Sequence, residues 1–279
     1  MRAEVKVLGA LEVVFDGVSV VPTASKPRQL LAMLALNVGR VVTSSTLMEE
    51  LWGTNAPRSA PTTLQTYVLH VRKLIRGALP ENPEAALEIL ATRHTGYVLR
   101  IDPDLADVVR YDRLAAEGRA AGAAGDYVRS GRLLCAALAM WRGPVLVDVA
   151  AGPQLEIETM RLAESRLTDL TLRIDADLYL GRHHQLLGDL AALCARHPYM
   201  ENFRAQYMLA LYRSGRPGQA LAVYHDMWTT IRDQLGVDPS RRLRQLHQAM
   251  LAGDQIVEDP RYMINNWAPD PVPARQGAS

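Results

Sequence analysis

The sequence predicts an α+β domain followed by an all-α domain, and three observations support this fold class. Residues 1–101 contain segments of period-two hydrophobicity at both ends, with helical periodicity between them. Beyond Ile101 the composition changes to alanine- and leucine-rich segments of helical periodicity. Within that second part, similar segments around Gly181 and Gly215 are spaced 34 residues apart, which is the period of a two-helix repeat.

The length and composition fit two folded domains and argue against a membrane protein. The 279 residues exceed the roughly 100–200 residues of one ordinary domain, and 48% of them are hydrophobic. No apolar run approaches the roughly 20 residues that cross a bilayer, and the N-terminus lacks the pattern of a signal peptide. We therefore expect a cytoplasmic protein without membrane contact. The net charge of +1 indicates no partner by itself, so the distribution of charge has to be examined.

The N-terminal domain begins with a small antiparallel sheet and two short helices. Residues 4–21 alternate apolar and polar side chains and contain the hairpin-turn dipeptide Asp-Gly. Residues 26–39 and 44–53 show helical periodicity, and each segment ends in glycine. In the second of these helices, we expect Glu49 and Glu50 on the side that faces solvent.

A longer helix and a second hairpin complete this domain. Ser59 is the expected N-cap of the helix, and Pro61 lies in its first turn. Residues 87–101 hold two strand-like runs around the sequence RHTG, which predicts a hairpin with Arg93 at its tip and Tyr97 in its core. The helices follow helix-turn-helix order, in which the last helix faces the major groove of DNA, and the hairpin occupies the place of a wing.

The third helix has one apolar face and one face rich in hydrogen-bond donors. At 3.6 residues per turn, the apolar face assigned to the core collects Leu64, Tyr67, Val68, Val71, Leu74 and Ile75. The opposite face collects Gln65, Thr66, Leu69, His70, Lys73 and Arg76, with Arg72 on its border. No acidic residue occurs from Leu51 to Pro80, although a solvated helix usually mixes glutamate with lysine. This face therefore favours double-stranded DNA as the partner, and the alternative is a solvated basic face.

Two segments of the chain resemble a known family. The sequence TLQTYVLHVRKLI followed by ATRHTGYVL is similar to the winged-helix effector domain of two-component response regulators. Together with the helical half, which contains WRGPVLVDV, the chain resembles the antibiotic regulatory proteins of streptomycetes. In that family a winged helix-turn-helix precedes a bacterial transcriptional activation domain of tetratricopeptide-like helices. The resemblance implies a winged helix at 1–101 and an activation domain at 102–252. The residues after them are rich in proline and small polar side chains without periodicity, which predicts a flexible tail at 253–279.

The resemblance implies DNA contacts from the third helix and from the wing. Thr66, His70, Arg72 and Lys73 would lie along the major groove, and Arg93 would enter the minor groove. By hydrogen-bonding capacity and shape, the residues expected to specify sequence are Gln65, Leu69 and Arg72. The residues expected to contact the DNA backbone are Lys73, Arg76, Thr62 and Thr63. Many response regulators have arginine and aspartate where this helix has Gln65 and Val68, so their base preference is not transferred.

Some of these residues have an alternative structural explanation. Arg72 can form a salt bridge with Glu49 or Glu50 instead of contacting DNA. Arg93 can be a solvated turn residue, and Trp52 is better explained as a side chain of the core.

The loop after the second helix is a candidate contact for RNA polymerase, because the corresponding loop does this in the winged helices that the chain resembles. Its candidate residues are Trp52, Gly53, Thr54, Asn55 and Arg58. The resemblance further implies a homodimer that binds direct repeats near promoters. Such a dimer would recruit RNA polymerase holoenzyme for expression of an antibiotic biosynthesis cluster.

Other functional classes have weaker support in the sequence. No phosphate-binding glycine loop, nucleophile elbow or zinc-protease motif occurs, so we expect neither catalysis nor a cofactor. Asp102, Asp104 and Asp107 are assigned to turns and caps. Cys135 and Cys194 are expected to be reduced and buried, and zinc-ligand spacing is absent. The competing class is a tetratricopeptide-like protein-interaction scaffold without specific DNA binding.

Overall fold

The computed structural model describes residues 2–267, which divide into two compact units. The first unit contains the chain up to Glu117 together with Leu133–Asp169. The second unit contains Gly118–Arg132 and the described chain from Leu170 onward. The units therefore do not divide at residue 101, where the sequence places the domain boundary. The first helices beyond that boundary pack into the N-terminal core through Val108, Tyr111 and other apolar side chains.

Among the described residues, the strands form two three-stranded sheets, both in the first unit. The strands are β1 (Ala3–Lys6), β2 (Glu12–Phe15), β3 (Val18–Ser19), β4 (Val42–Thr43), β5 (Leu90–Arg93) and β6 (Gly96–Leu99). The first sheet has the order β1-β2-β3, and Asp16 and Gly17 both have positive φ in its β2–β3 turn, as a type I′ hairpin requires. The second sheet has the order β4-β6-β5, so the wing hairpin gains a third strand. Both predicted hairpins are confirmed, whereas β4 is too short to produce a periodic signal.

The helices of the winged-helix part are α1 (Ser25–Leu36), α2 (Ser44–Trp52), α3 (Ala60–Ala78) and α4 (Ala85–Ile89). Thr43 caps α2, since its side chain accepts a hydrogen bond from Thr46 N at 3.1 Å. Pro61 lies in the first turn of α3 as expected, but the side chain of Ser59 makes no capping hydrogen bond. Residues 87–89 belong to α4 rather than to a strand, because Ala86 and Ile89 are buried at helical spacing.

The predicted apolar face of α3 is confirmed as core. Four side chains of this face are each at most 2% exposed, those of Leu64, Val68, Val71 and Ile75. The other two, Tyr67 and Leu74, are partly buried and pack against the same core. Burying these four side chains stabilises the helix by roughly 1.5–3 kcal/mol each. This burial fixes which side of α3 faces outward.

Beyond the wing, the described chain contains no strand, and its regular elements apart from two 3-10 turns are all α-helices, in line with the predicted fold class. They are α5 (Asp107–Ala123), α6 (Tyr127–Leu138), α7 (Pro153–Tyr179), α8 (His183–Arg196), α9 (Glu201–Arg213), α10 (Pro217–Leu235), α11 (Arg241–Ala252) and α12 (Tyr262–Trp267). The predicted repeat is confirmed, because Gly181 and Gly215 occupy equivalent turns before α8 and α10 with φ of +74° and +73°. Only a residue without a Cβ adopts this backbone at low cost.

The tail expected from residue 253 is partly folded, which corrects the sequence-based expectation. A 3-10 turn at Gln255–Glu258 and α12 follow α11. Val257, Tyr262, Met263 and Trp267 are buried, and their apolar area stabilises the ordered segment. The part of the expected tail from 268 to 279 lies outside the described residues.

The two cysteines differ in environment. Cys194 is buried as expected, and burial raises the pKa of its thiol to about 11. Cys135 is exposed, which corrects the expectation that both are buried. In α6 the buried positions on either side of it are Leu134 and Ala137, and Cys135 points away from them.

Carboxylates hold the winged helix to the segments that follow it in the first unit. Asp107 accepts hydrogen bonds from the backbone N–H groups of Val7 and Leu8, at 2.9 and 3.0 Å. Glu50 is only 1% exposed, which corrects its expected place on the solvent side of α2. Its carboxylate accepts from three backbone N–H groups at the start of α7, those of Gly152, Gln154 and Leu155, at 2.7–3.0 Å. These bonds fix α2, and with it the helix-turn-helix, against α7.

A buried acid in the second unit makes stability depend on pH. Burial raises the pKa of Asp175 from 3.8 to about 7, against the opposing effect of the hydrogen bond from Gln206 Nε2 to its Oδ1 at 2.7 Å. The folded chain then holds a proton between about pH 4 and pH 7 that the unfolded chain releases. The contribution of this group to stability is therefore complete below about pH 4 and is lost as the pH rises through about 7.

We expect Asp175→Asn to remove this dependence. Relative to the parent chain, the variant should gain about 2–4 kcal/mol in free energy of unfolding between pH 5 and pH 8, since the amide never becomes charged. Urea unfolding of both chains at the two pH values measures the difference. An advantage of the same size at both pH values would contradict the assigned ionisation.

Candidate nucleic-acid interface

The outward face of α3 is exposed in the first unit. The exposed side chains on it are those of Gln65, Thr66, Leu69, His70, Lys73 and Arg76. Leu69 is 61% exposed, although it is a large apolar residue in the middle of a polar surface. An apolar side chain there offers a contact for a thymine methyl group. We call these six residues the recognition face.

The recognition face carries positive charge that the described part of the chain does not neutralise. Among the described residues, no side-chain hydrogen bond or ion pair engages Lys73 or Arg76. The helix itself contains no acid that could supply one. Unpaired cations on one helical face repel each other, and an anionic partner such as a phosphate backbone relieves that repulsion.

The first turns of α3 present hydroxyl groups beside the recognition face. Thr62 is exposed and Thr63 is half-buried, near the N-terminus of the helix. Thr66 Oγ1 donates a hydrogen bond to Thr62 O at 3.1 Å, so its hydroxyl is partly engaged within the helix. The positive end of the helix dipole favours anions at this end of α3.

The wing places an arginine at an exposed tip. Arg93 ends β5 and is exposed, while Tyr97 on β6 is buried, as expected for the hairpin core. His94, which was not among the predicted contacts, is also exposed at the tip. Its place beside Arg93 in the sequence RHTG is the signal that could have included it.

Arg72 differs from the other residues predicted to contact DNA. Its guanidinium donates two hydrogen bonds to the carbonyl oxygen of Leu90, at 2.7 and 2.9 Å, and one to Thr92 Oγ1 at 2.8 Å. The alternative salt bridge to Glu49 or Glu50 does not form, since Glu50 is engaged with α7 and Glu49 accepts from Gln154 Nε2.

The loop after α2 is exposed except for its first residues. Thr54, Asn55 and Arg58 are exposed, and Gly53 is half-buried with φ of +59°. Trp52 packs against the core and stacks on Tyr67 with ring centroids 6.2 Å apart. The indole therefore has a structural role, and the free part of the loop begins after it.

Similarity to known proteins agrees with this architecture. The family model of the bacterial transcriptional activator domain matches residues 106–251, and that of the transcriptional regulatory protein C-terminal domain matches residues 19–99. The regulatory protein DnrI of Streptomyces peucetius is 47% identical over 256 residues, which cover 91% of this chain and 94% of DnrI. The chain belongs to the streptomycete antibiotic regulatory protein family.

Two further relatives align with most of this chain. The transcriptional regulator RedD of Streptomyces coelicolor is 37% identical over 237 residues, covering 85% of this chain and 67% of RedD. The solved structure of Mycobacterium tuberculosis EmbR in complex with a low-affinity phosphopeptide has a TM-score of 0.81 and 35% identity. That match covers 90% of this chain and 65% of the EmbR chain.

As a member of the antibiotic regulatory protein family, the chain is a transcriptional regulator with a DNA-binding domain, and it is not an enzyme. Within the described residues, no helix has the length and apolar character that a membrane span requires. In the same part of the chain, no three histidine, cysteine or acidic side chains come together as ligands for a metal ion.

Proposed function

We propose that this regulator is a sequence-specific transcriptional activator that binds direct repeats near promoters as a homodimer. In this proposal it recruits RNA polymerase holoenzyme in the cytoplasm to promoters of an antibiotic biosynthesis cluster. The observation that supports the proposal best is the exposed, acid-free recognition face of α3 beside the exposed Arg93 of the wing. A helix in the major groove and an arginine in the adjoining minor groove together span one half-site.

The side chains of the recognition face are proposed to divide the work by their chemistry. Gln65 pairs its amide donor and acceptor with a base edge, and Leu69 contacts a thymine methyl. Lys73, Arg76, Thr62 and Thr63 bind phosphates: the Lys73 ammonium is a point charge, Arg76 lies in the last turn of α3, and the two hydroxyls lie at its N-terminal end. Thr66 and His70 lie between these groups along the groove.

Selection of bound duplexes from a random library tests DNA recognition and repeat spacing together. We expect enriched duplexes with two copies of one half-site in the same orientation, and affinity that falls steeply with salt. Equal affinity for enriched and scrambled duplexes would overturn the proposal and favour a protein-interaction scaffold. Run-off transcription with polymerase holoenzyme tests recruitment. If the regulator binds the operator and the amount of transcript does not increase, recruitment is overturned, together with the proposed polymerase contact by Thr54, Asn55 and Arg58.

Substitutions at Lys73 and Gln65 should separate affinity from specificity. Lys73→Ala is expected to weaken binding to all duplexes and to lower the salt slope by about one unit, because one phosphate contact is lost. Gln65→Ala is expected to reduce discrimination at one base position by roughly 1–3 kcal/mol, with little change in the slope. Titration of matched and mismatched duplexes at several salt concentrations measures both. A Lys73→Ala chain that loses discrimination and keeps its slope would reverse the assignment.

A further inference from the structure

The guanidinium of Arg72 is bound to the wing instead of facing the groove side of α3. Its Nε and Nη2 both donate to the carbonyl oxygen of Leu90, and Nη2 also donates to Thr92 Oγ1. Leu90 is the first residue of β5, and Thr92 immediately precedes Arg93. One side chain therefore joins the recognition helix to the strand that carries the wing arginine.

The strand β5 needs these donors because of its place in the sheet. In the order β4-β6-β5 it is an edge strand, so the carbonyl groups on its open side have no strand partner. An unpaired carbonyl in a partly buried place is unfavourable, and Arg72 supplies two N–H groups to one such oxygen. Desolvation lowers the pKa of Arg72, a cost that its charge-assisted hydrogen bonds offset.

We infer that Arg72 is a positioning residue, which fixes the wing and thereby Arg93 relative to the recognition face of α3. This inference rests on the proposed function, in which Arg93 contacts the minor groove. The planar guanidinium suits the task because two N–H groups in fixed geometry hold both the distance and the angle of β5. A lysine ammonium on a flexible stem fixes neither.

A double-mutant cycle on duplex binding tests the inference. We expect Arg72→Lys and Arg93→Ala each to weaken binding to the selected duplex by about tenfold. The double variant should bind no more weakly than Arg93→Ala alone, because a misplaced wing has already lost the contact of Arg93. If Arg72 contacts DNA independently, the losses multiply to about a hundredfold, and the inference is overturned. Arg76→Ala combined with Arg93→Ala is the matched control, and its losses should multiply.

Hydrogen exchange of the free protein gives a result that does not depend on DNA. Arg72→Lys should speed amide exchange in the peptide that covers β5 and β6 while leaving that of α1 unchanged. Unchanged exchange in the wing would overturn the inference. If Arg93→Ala binds DNA as well as the parent chain does, the proposed minor-groove contact fails, and the exchange experiment still decides the role of Arg72.

A second variant guards against misfolding of Arg72→Lys. Thr92→Val removes one acceptor of Arg72 and keeps the bonds to Leu90, so it should speed exchange of the wing by a smaller factor. Thr92→Val should weaken duplex binding by less than Arg72→Lys does. Combined with Arg93→Ala, it should again bind no more weakly than Arg93→Ala alone. Independent losses, or exchange equal to that of the parent chain, would contradict the positioning role.

Discussion

Glu50→Gln is expected to lower the free energy of unfolding by about 3 kcal/mol, although the side chain keeps its size. Glu50 Oε2 accepts from Gln154 N and Leu155 N, and Oε1 accepts from Gly152 N and from Gln29 Nε2 at 2.7 Å. An amide replaces one acceptor oxygen by a donor, so at least one buried N–H group faces another donor. The lost negative charge also weakens the electrostatic compensation of the positive end of α7, where Glu156 is the acid that remains in the first turn. Urea unfolding measures the change.

Glu49→Gln is the matched control for this prediction. Glu49 is the neighbouring residue, it is exposed, and its side chain accepts one hydrogen bond, from Gln154 Nε2 at 3.2 Å. The substitution is chemically identical, and we expect it to change stability by less than about 0.5 kcal/mol. Equal unfolding midpoints for the two variants would show that the contacts of Glu50 with α7 contribute nothing.

Gly96→Ala should destabilise the winged helix by about 3 kcal/mol or more. A Cβ atom at this position would lie 2.0 Å from the carbonyl oxygen of Val42 and 2.7 Å from Thr43 Cα. These are backbone atoms of β4, which pairs with β6 at this point, and Ser44 N donates to Thr95 O at 2.9 Å beside it. The strand therefore cannot move away without breaking the sheet. Thermal unfolding and duplex binding should both report the loss, since the same sheet carries the wing.

Gly77→Ala provides the control with the same added methyl group. Gly77 lies in α3, and no atom lies within 4 Å of the position of its added Cβ. Alanine is the better helix former, so this variant should be as stable as the parent chain or more stable by up to about 1 kcal/mol. If Gly96→Ala unfolded at the same temperature as Gly77→Ala, the result would contradict the predicted steric clash.

Much of the fold follows from periodicity and turn chemistry. The two faces of α3, the hairpin at Asp16-Gly17 and the glycine turns before α8 and α10 are local patterns, and the structure confirms them. The strand β4 and the helix at residues 87–89 are too short for periodicity to register. The ordered segment to Trp267 was also not predicted, because its elements are short and its burial depends on packing with other elements such as α11.

The candidate interface also combines features that the sequence predicts with features that it does not. Exposure of the recognition face was predictable, because the opposite face of the same helix is apolar. The role of Arg72 was not, because its partners Leu90 and Thr92 are a backbone oxygen and a hydroxyl on another element. A charged side chain in a sequence suggests carboxylate partners, whereas a backbone carbonyl is present at every residue and leaves no signal.

The sequence by itself determined that a basic helix and an arginine-tipped hairpin follow two short helices, and that repeated helices come after them. These features depend on residues close together along the chain, where side-chain spacing decides which face is apolar. Tertiary structure alone decided that Glu50 caps α7, that Gly96 lies against β4, and that Arg72 holds the wing. Each of these contacts joins residues that lie apart in the sequence, and burial of backbone groups against a distant element creates a partner that local sequence does not encode.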